Sequence, residues 1–146
     1  MLHFIKYGCF IIGIFLIGCN HNNNETSPEQ DYEKNCNDTF CTLQYVTVTI
    51  KAEDSNGDPV VLDKIEVTNL ENNEVIFSLP DNNIKLENNV YPVFDDRFVK
   101  QAYNKEIKVN FKGYLNTNKV ADQNFIVTSD CCHVSMISEN RTIVIN

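Results

Sequence analysis

Four cysteines in two close pairs, a histidine beside the second pair, and a short run of alternating oxygen donors are the residues whose types and spacing could do chemistry. Cys36 and Cys41 form one pair, Cys131 and Cys132 the other, and His133 follows directly. Thiolates and an imidazole are zinc ligands, and these five side chains could close a shell. Zinc sites, however, present C-x2-C or C-x4-C knuckles at both ends. Neighbours on a strand point to opposite faces, so Cys131 and Cys132 do not converge on one ion, and no zinc is assigned. No C-x-x-C pair opening a helix is present either, which removes the usual redox motif.

Asp54, Asn56 and Asp58 place three oxygen ligands at alternate positions, half of a calcium loop. The bidentate glutamate such a loop needs at its twelfth position is missing, because Ile65 stands there, and a turn is the reading preferred over a calcium site. A serine-histidine-aspartate hydrolase would have to use His133. No G-x-S-x-G elbow accompanies it, and no cofactor or catalytic residue is assigned. Tyr91, Phe94, Phe98, Tyr103 and Tyr114 could line a glycan or peptide groove, since rings offer flat apolar faces with a polar handle. Core packing is the reading preferred for most of them, and tryptophan, the commonest sugar-stacking residue, is absent.

Twelve basic against 20 acidic side chains leave a net charge of -8, which argues against nucleic acid, whose phosphates need a basic face. At the N-terminus Lys6 precedes an uncharged run over residues 7–18, rich in Ile and Phe. Twelve residues reach about 18 Å as a helix, short of the ~30 Å a membrane span must cross, so this is a signal-peptide core. It ends in Leu16, Ile17, Gly18 and Cys19, which resembles the lipobox of bacterial lipoproteins. The resemblance implies cleavage before Cys19, acylation of its thiol and membrane attachment through several acyl chains. Asn20, rather than Asp, follows that cysteine, which by lipoprotein sorting rules leans toward the outer membrane, with the domain facing the periplasm or the outside.

That address changes how the cysteines are read. Cys9 is lost with the leader, Cys19 is acylated, and an even count of four in an oxidising compartment reads as disulfides. Three connectivities exist. In two of them Cys36 and Cys41 tie to Cys131 and Cys132, clamping the start of the domain onto a late strand, and those two are favoured without a choice between them.

The elements that position these residues read as β structure. Residues 1–18 form the leader, 19–35 the lipidated N-terminus and a polar, disordered tether, and 36–146 a single domain. Along residues 44–52, Val46, Val48, Ile50 and Ala52 alternate with polar neighbours, the pattern of a half-buried strand. Asn56-Gly57 and Pro59 make the turn, and residues 60–68 return with Val61, Ile65 and Val67 apolar. Further runs over 74–79, 107–115, 120–128, 132–137 and 142–145 bring the tally to about seven strands, which means an antiparallel sandwich. Residues 80–106 break the rhythm. There Phe94, Phe98, Val99, Ala102 and Tyr103 are spaced for one short helix, with Asp95 and Asp96 in its first turn.

The stretch VTIKAEDSNGDPVVLDKIEV, a strand, an acidic turn with Gly57 and Pro59, and a second strand, is similar to carboxypeptidase-regulatory-like and transthyretin-like domains. FKGYLN at residues 111–116 and DCCHVSMIS at 130–138 resemble small envelope lipoproteins of Bacteroidetes-like bacteria. These resemblances imply an immunoglobulin-like or prealbumin-like sandwich and a non-catalytic module. The expected function is a lipid-anchored binding or accessory module of the cell envelope, with an envelope protein or glycan as partner. Its alternatives are a surface glycan- or peptide-binding lipoprotein beside an outer-membrane transporter and, last, a small hydrolase using His133.

Overall fold

The computed structural model describes residues 28–80 and 88–146. The leader, Cys19 and the first part of the tether therefore lie outside the described residues. The chain is mainly β, with eight strands in two sheets among the described residues. After helix α1 (Pro28–Cys36) come β1 (Thr47–Asp54), β2 (Lys64–Asn69), β3 (Val75–Leu79) and β4 (Val90–Asp95). A 3-10 turn (Asp96–Phe98) runs into the short α2 (Val99–Ala102), followed by β5 (Ile107–Leu115), β6 (Asn118–Ser129), β7 (Val134–Met136) and β8 (Thr142–Ile145).

One sheet has the order β4-β1-β8 and the other β3-β2-β5-β6-β7. All pairings are antiparallel except β1 with β8, which run parallel. The alternation expected for β1 is observed, with Val48, Ile50 and Ala52 buried. They join a core with Ile65 and Val67 of β2, Val109 and Phe111 of β5, and Phe125 and Val127 of β6. Removing those apolar side chains from water is the main force holding the two sheets together.

The fold differs from the sequence reading in three places. Residues 28–35, expected within the disordered tether, form α1. The helix has no broad apolar stripe; Tyr32 and Cys36, one turn apart, tie it down instead. The Tyr32 ring meets Tyr103 edge to face at 5.5 Å, and its hydroxyl donates to the Cys131 carbonyl at 3.0 Å. Second, residues 88–106, the segment that follows residues 81–87 outside the described ones, hold a strand as well as a helical turn: Phe94 lies in β4, one strand beyond the seven expected, and only from Asp96 onward does the chain coil. Asp95 caps that turn, accepting from the Arg97 backbone N–H at 3.0 Å, so the acids do stand where the helix dipole favours them.

Third, the return strand starts late, at Lys64, and Val61 is exposed while Leu62 is buried. Tyr91 holds this shift in place. Its hydroxyl accepts from Leu62 N–H at 2.6 Å and donates to the Val60 carbonyl at 3.2 Å, drawing the connection inward off the strand path. Leu62 then fills the space above Gly113, where an added Cβ would lie 2.7 Å from Leu62 Cδ1. Tyr91 and Phe94 are completely buried and Phe98 nearly so, which agrees with core packing for these three rings, whereas Tyr103 and Tyr114 are half-buried.

Candidate functional site

One end of the sandwich collects the four cysteines and His133. It is built on Asp130, just past the end of β6. Asp130 Oδ1 accepts from the backbone N–H groups of Cys132 at 2.7 Å and His133 at 2.8 Å, closing a tight turn. Those two bonds hold its carboxyl below the ordinary aspartate range. Because Cys131 and Cys132 sit in this turn, before β7 begins, both can face the N-terminal segment.

Cys36 is bonded to Cys131 and Cys41 to Cys132, with Cα separations of 5.3 and 5.2 Å. This is one of the two favoured connectivities. All four thiols are thereby consumed, so the zinc shell considered for them does not form. The two bridges are not independent. The first closes a loop of 95 residues, but once it exists the second encloses only the short segment between Cys36 and Cys41. In the chain-entropy model that is about 4 to 5 kcal/mol for a loop near 100 residues and about 2 kcal/mol for one of a few residues.

His133 bridges what the disulfides bring together. Its Nδ1 is 2.9 Å from Asp96 Oδ2 and its Nε2 is 2.9 Å from Thr42 Oγ1. Asp96 also accepts from Val46 N–H at 2.7 Å, just before β1, and from Val134 N–H at 2.9 Å, at the start of β7. Burial pushes the Asp96 carboxyl up. The hydrogen bonds from His133, Val134 and Val46 outweigh it and leave the group below its ordinary range.

The resulting row of hydroxyl, imidazole and carboxylate has the hydrogen-bonded order used to activate a nucleophile. The sequence reading does not single out Thr42, and it names Asp96 only as an acid in the first turn of a helix. The available signal was the bond between Cys41 and Cys132, which sets the residues after each, Thr42 and His133, side by side; with two connectivities open, it could not be used.

The loop bearing Thr42 also carries the most exposed apolar side chains described. Phe40 and Leu43 have relative exposures of 102% and 105%, and Tyr45 is 59% exposed. Nothing in the core shields them, although disulfides fix the chain on both sides of Phe40.

Other candidates resolve differently. Asp54 Oδ1 accepts from the N–H groups of Asn56 at 2.8 Å and Asp58 at 2.9 Å, while Gly57 takes a positive φ of 87°. These bonds, from Asp58 first and then Asn56, hold the Asp54 carboxyl below its usual range. The residues expected as a turn or a partial calcium loop thus spend their principal carboxylate on the turn itself. Among the described residues no cluster of three or more His, Cys, Asp or Glu side chains is placed to hold a metal ion.

A surface cavity of about 450 Å³ lies near α2, lined in part by Arg97, Lys100, Lys105, Asn69 and Ile107. Each of its cations already has an acid: Arg97 binds Asp95 with both Nε and a terminal nitrogen, Lys100 pairs with Glu33, and Lys105 with Glu71 at 2.6 Å. An anionic ligand would have to displace those carboxylates. No helix among the described residues is long and apolar enough to cross a membrane. Comparison of the chain with protein-family models, curated proteins and solved structures gives no match.

Proposed function

We propose that this chain is a lipid-anchored, non-enzymatic binding or accessory module of the bacterial cell envelope. The observation that carries the reading is the pair of disulfides joining the start of the domain to the turn after β6. Such bridges persist in oxidising compartments, which agrees with the leader and lipobox at residues 1–19. Cys19 is the acylated residue, Asn20 directs the protein to the outer membrane, and the two sheets are of the immunoglobulin-like or prealbumin-like kind that the sequence from β1 through its turn to β2 resembles. A protein or glycan partner is engaged through the exposed surface, since Tyr91, Phe94 and Phe98, three of the five rings considered for a groove, are in the core. In cell fractionation the native protein is expected in the outer-membrane fraction, and Cys19→Ser in the soluble fraction; tight membrane retention of Cys19→Ser contradicts the reading.

A second reading rests on the row Thr42, His133, Asp96. As a hydrolase, Thr42 would be the nucleophile, His133 the base and Asp96 the residue orienting it. Thr42 is exposed, and the cavity near α2 is lined by other residues. Hydrolysis of a panel of simple esters that disappears in both Thr42→Ala and His133→Ala supports this reading, and a native protein without turnover removes it.

A further inference from the structure

The loop between α1 and β1 combines two properties that rarely meet. It is braced at Cys36 and Cys41 by disulfides and at Thr42 by His133, yet it holds Phe40 and Leu43 wholly in water. Exposed apolar side chains on a fixed support usually have a partner. Because the brace has already removed the loop's freedom, little further ordering cost opposes an encounter.

The position of the loop in the chain identifies that partner. Residues 20–27 are all that separate Cys19 from α1, and a chain of that length, even fully extended, spans at most about 30 Å. The last residue of α1, Cys36, is itself part of the disulfide-bonded end. An acylated Cys19 therefore leaves this end of the domain within reach of the bilayer. The opposite end carries the turn after β1, and Val144 lies toward it: Val144 pairs with Glu53, whereas Thr47, six residues earlier, pairs with Asp95 beside Asp96. At ~3.3 Å per residue the two ends of β1 are roughly 20 Å apart.

We infer that Phe40 and Leu43, with Tyr45 beside them, insert into the headgroup–acyl boundary of the bilayer that holds the protein's own anchor, fixing the domain upright on the membrane. This rests on the lipid-anchor reading of Cys19. Residues 37–45 contain one acid, Asp38, and no Lys or Arg, so the contact is apolar and suits zwitterionic headgroups. It differs from the polybasic attachment that needs anionic lipid and fades with salt. A loop that inserts to the depth of an interfacial helix places its rings about 5 to 10 Å into the boundary.

The chain contains no tryptophan, so a single introduced indole reports alone. Phe40→Trp, Leu43→Trp and, as the distant control, the 54% exposed Val144→Trp would each be purified from membranes as the full mature lipoprotein. They would be reconstituted in phosphatidylethanolamine–phosphatidylcholine vesicles with brominated acyl chains, and acylation read by intact mass on the same samples. With Cys19 acylated, the indoles at positions 40 and 43 are expected to be quenched at least about two-fold more than the one at 144, with no change in 0.5 M salt. Acylated protein with equal quenching at all three positions overturns the docking while leaving the anchor standing. Protein without acyl chains overturns the anchor, and the docking with it. Shielding of position 40 from aqueous iodide without lipid, by contrast, would mean that a second copy covers the loop, and would also overturn the proposal.

Discussion

His133 Nδ1 lies 2.9 Å from Asp96 Oδ2, and the same carboxylate accepts backbone hydrogen bonds from Val46 and Val134. Asp96 thus fastens the chain before β1, the start of β7 and the disulfide turn to one another. Since its folded pKa is depressed, it stabilises the fold above the unfolded value of about 4, and that stabilisation is lost as pH falls through the lower folded value. Asp130 is depressed too and adds in the same direction. Unfolding midpoints in urea should hold from neutral pH down to about 4 and drop below it. Asp96→Asn should start lower and lose less on acidification; an acid limb unchanged in that variant contradicts the role given to Asp96.

The nested disulfides make a non-additive prediction. Replacing Cys36 and Cys131 together by Ser, or Cys41 and Cys132 together, leaves one long loop closed, so each should cost only about 2 kcal/mol. Replacing all four should cost about 6 to 7 kcal/mol on the same model. Denaturant melts of the three variants measure this directly. Costs of 4 to 5 kcal/mol for each pair that simply add would show that the bridges act on separate loops.

Gly113 faces Leu62, and Gly113→Ala puts a methyl carbon 2.7 Å from Leu62 Cδ1 and 3.2 Å from Ala121 Cβ. Overpacking of this kind costs about 1 to 3 kcal/mol. Adding Leu62→Ala should relieve the clash, so the double variant is expected to cost less than the sum of the singles. Strict additivity in a double-mutant cycle contradicts the packing described.

Tyr91→Phe removes the hydroxyl that pairs Leu62 N–H and the Val60 carbonyl. A buried N–H left without a partner costs about 1 to 3 kcal/mol. Loss of stability in calorimetry, rather than altered retention by polysaccharide, is the expected signature of a core tyrosine.

Much of the architecture was legible because it depends on local periodicity. Val48, Ile50 and Ala52 alternate, and Asn56-Gly57 supplies the turn, so β1 and the tight turn after it could be read directly. What escaped reading depends on long-range pairing. Residues 28–36 carry too few apolar side chains to suggest a helix; the i,i+4 spacing of Tyr32 and Cys36 was its signal, but it acquires meaning only when Cys131 is known to lie opposite. The partners of the Tyr91 hydroxyl could not be read, because they are two backbone groups some thirty residues upstream. Thr42, Asp96 and His133 are dispersed along the chain, and only the realised disulfide pairing brings them into one row.

The most direct test of the envelope-module account is the intact mass, without reduction, of the native protein extracted from bacterial membranes. The account expects a chain beginning at Cys19, carrying acyl chains there, with no free thiol and bridges mapped to Cys36–Cys131 and Cys41–Cys132. A chain that retains residues 1–18, lacks acylation and has four alkylatable thiols would contradict it.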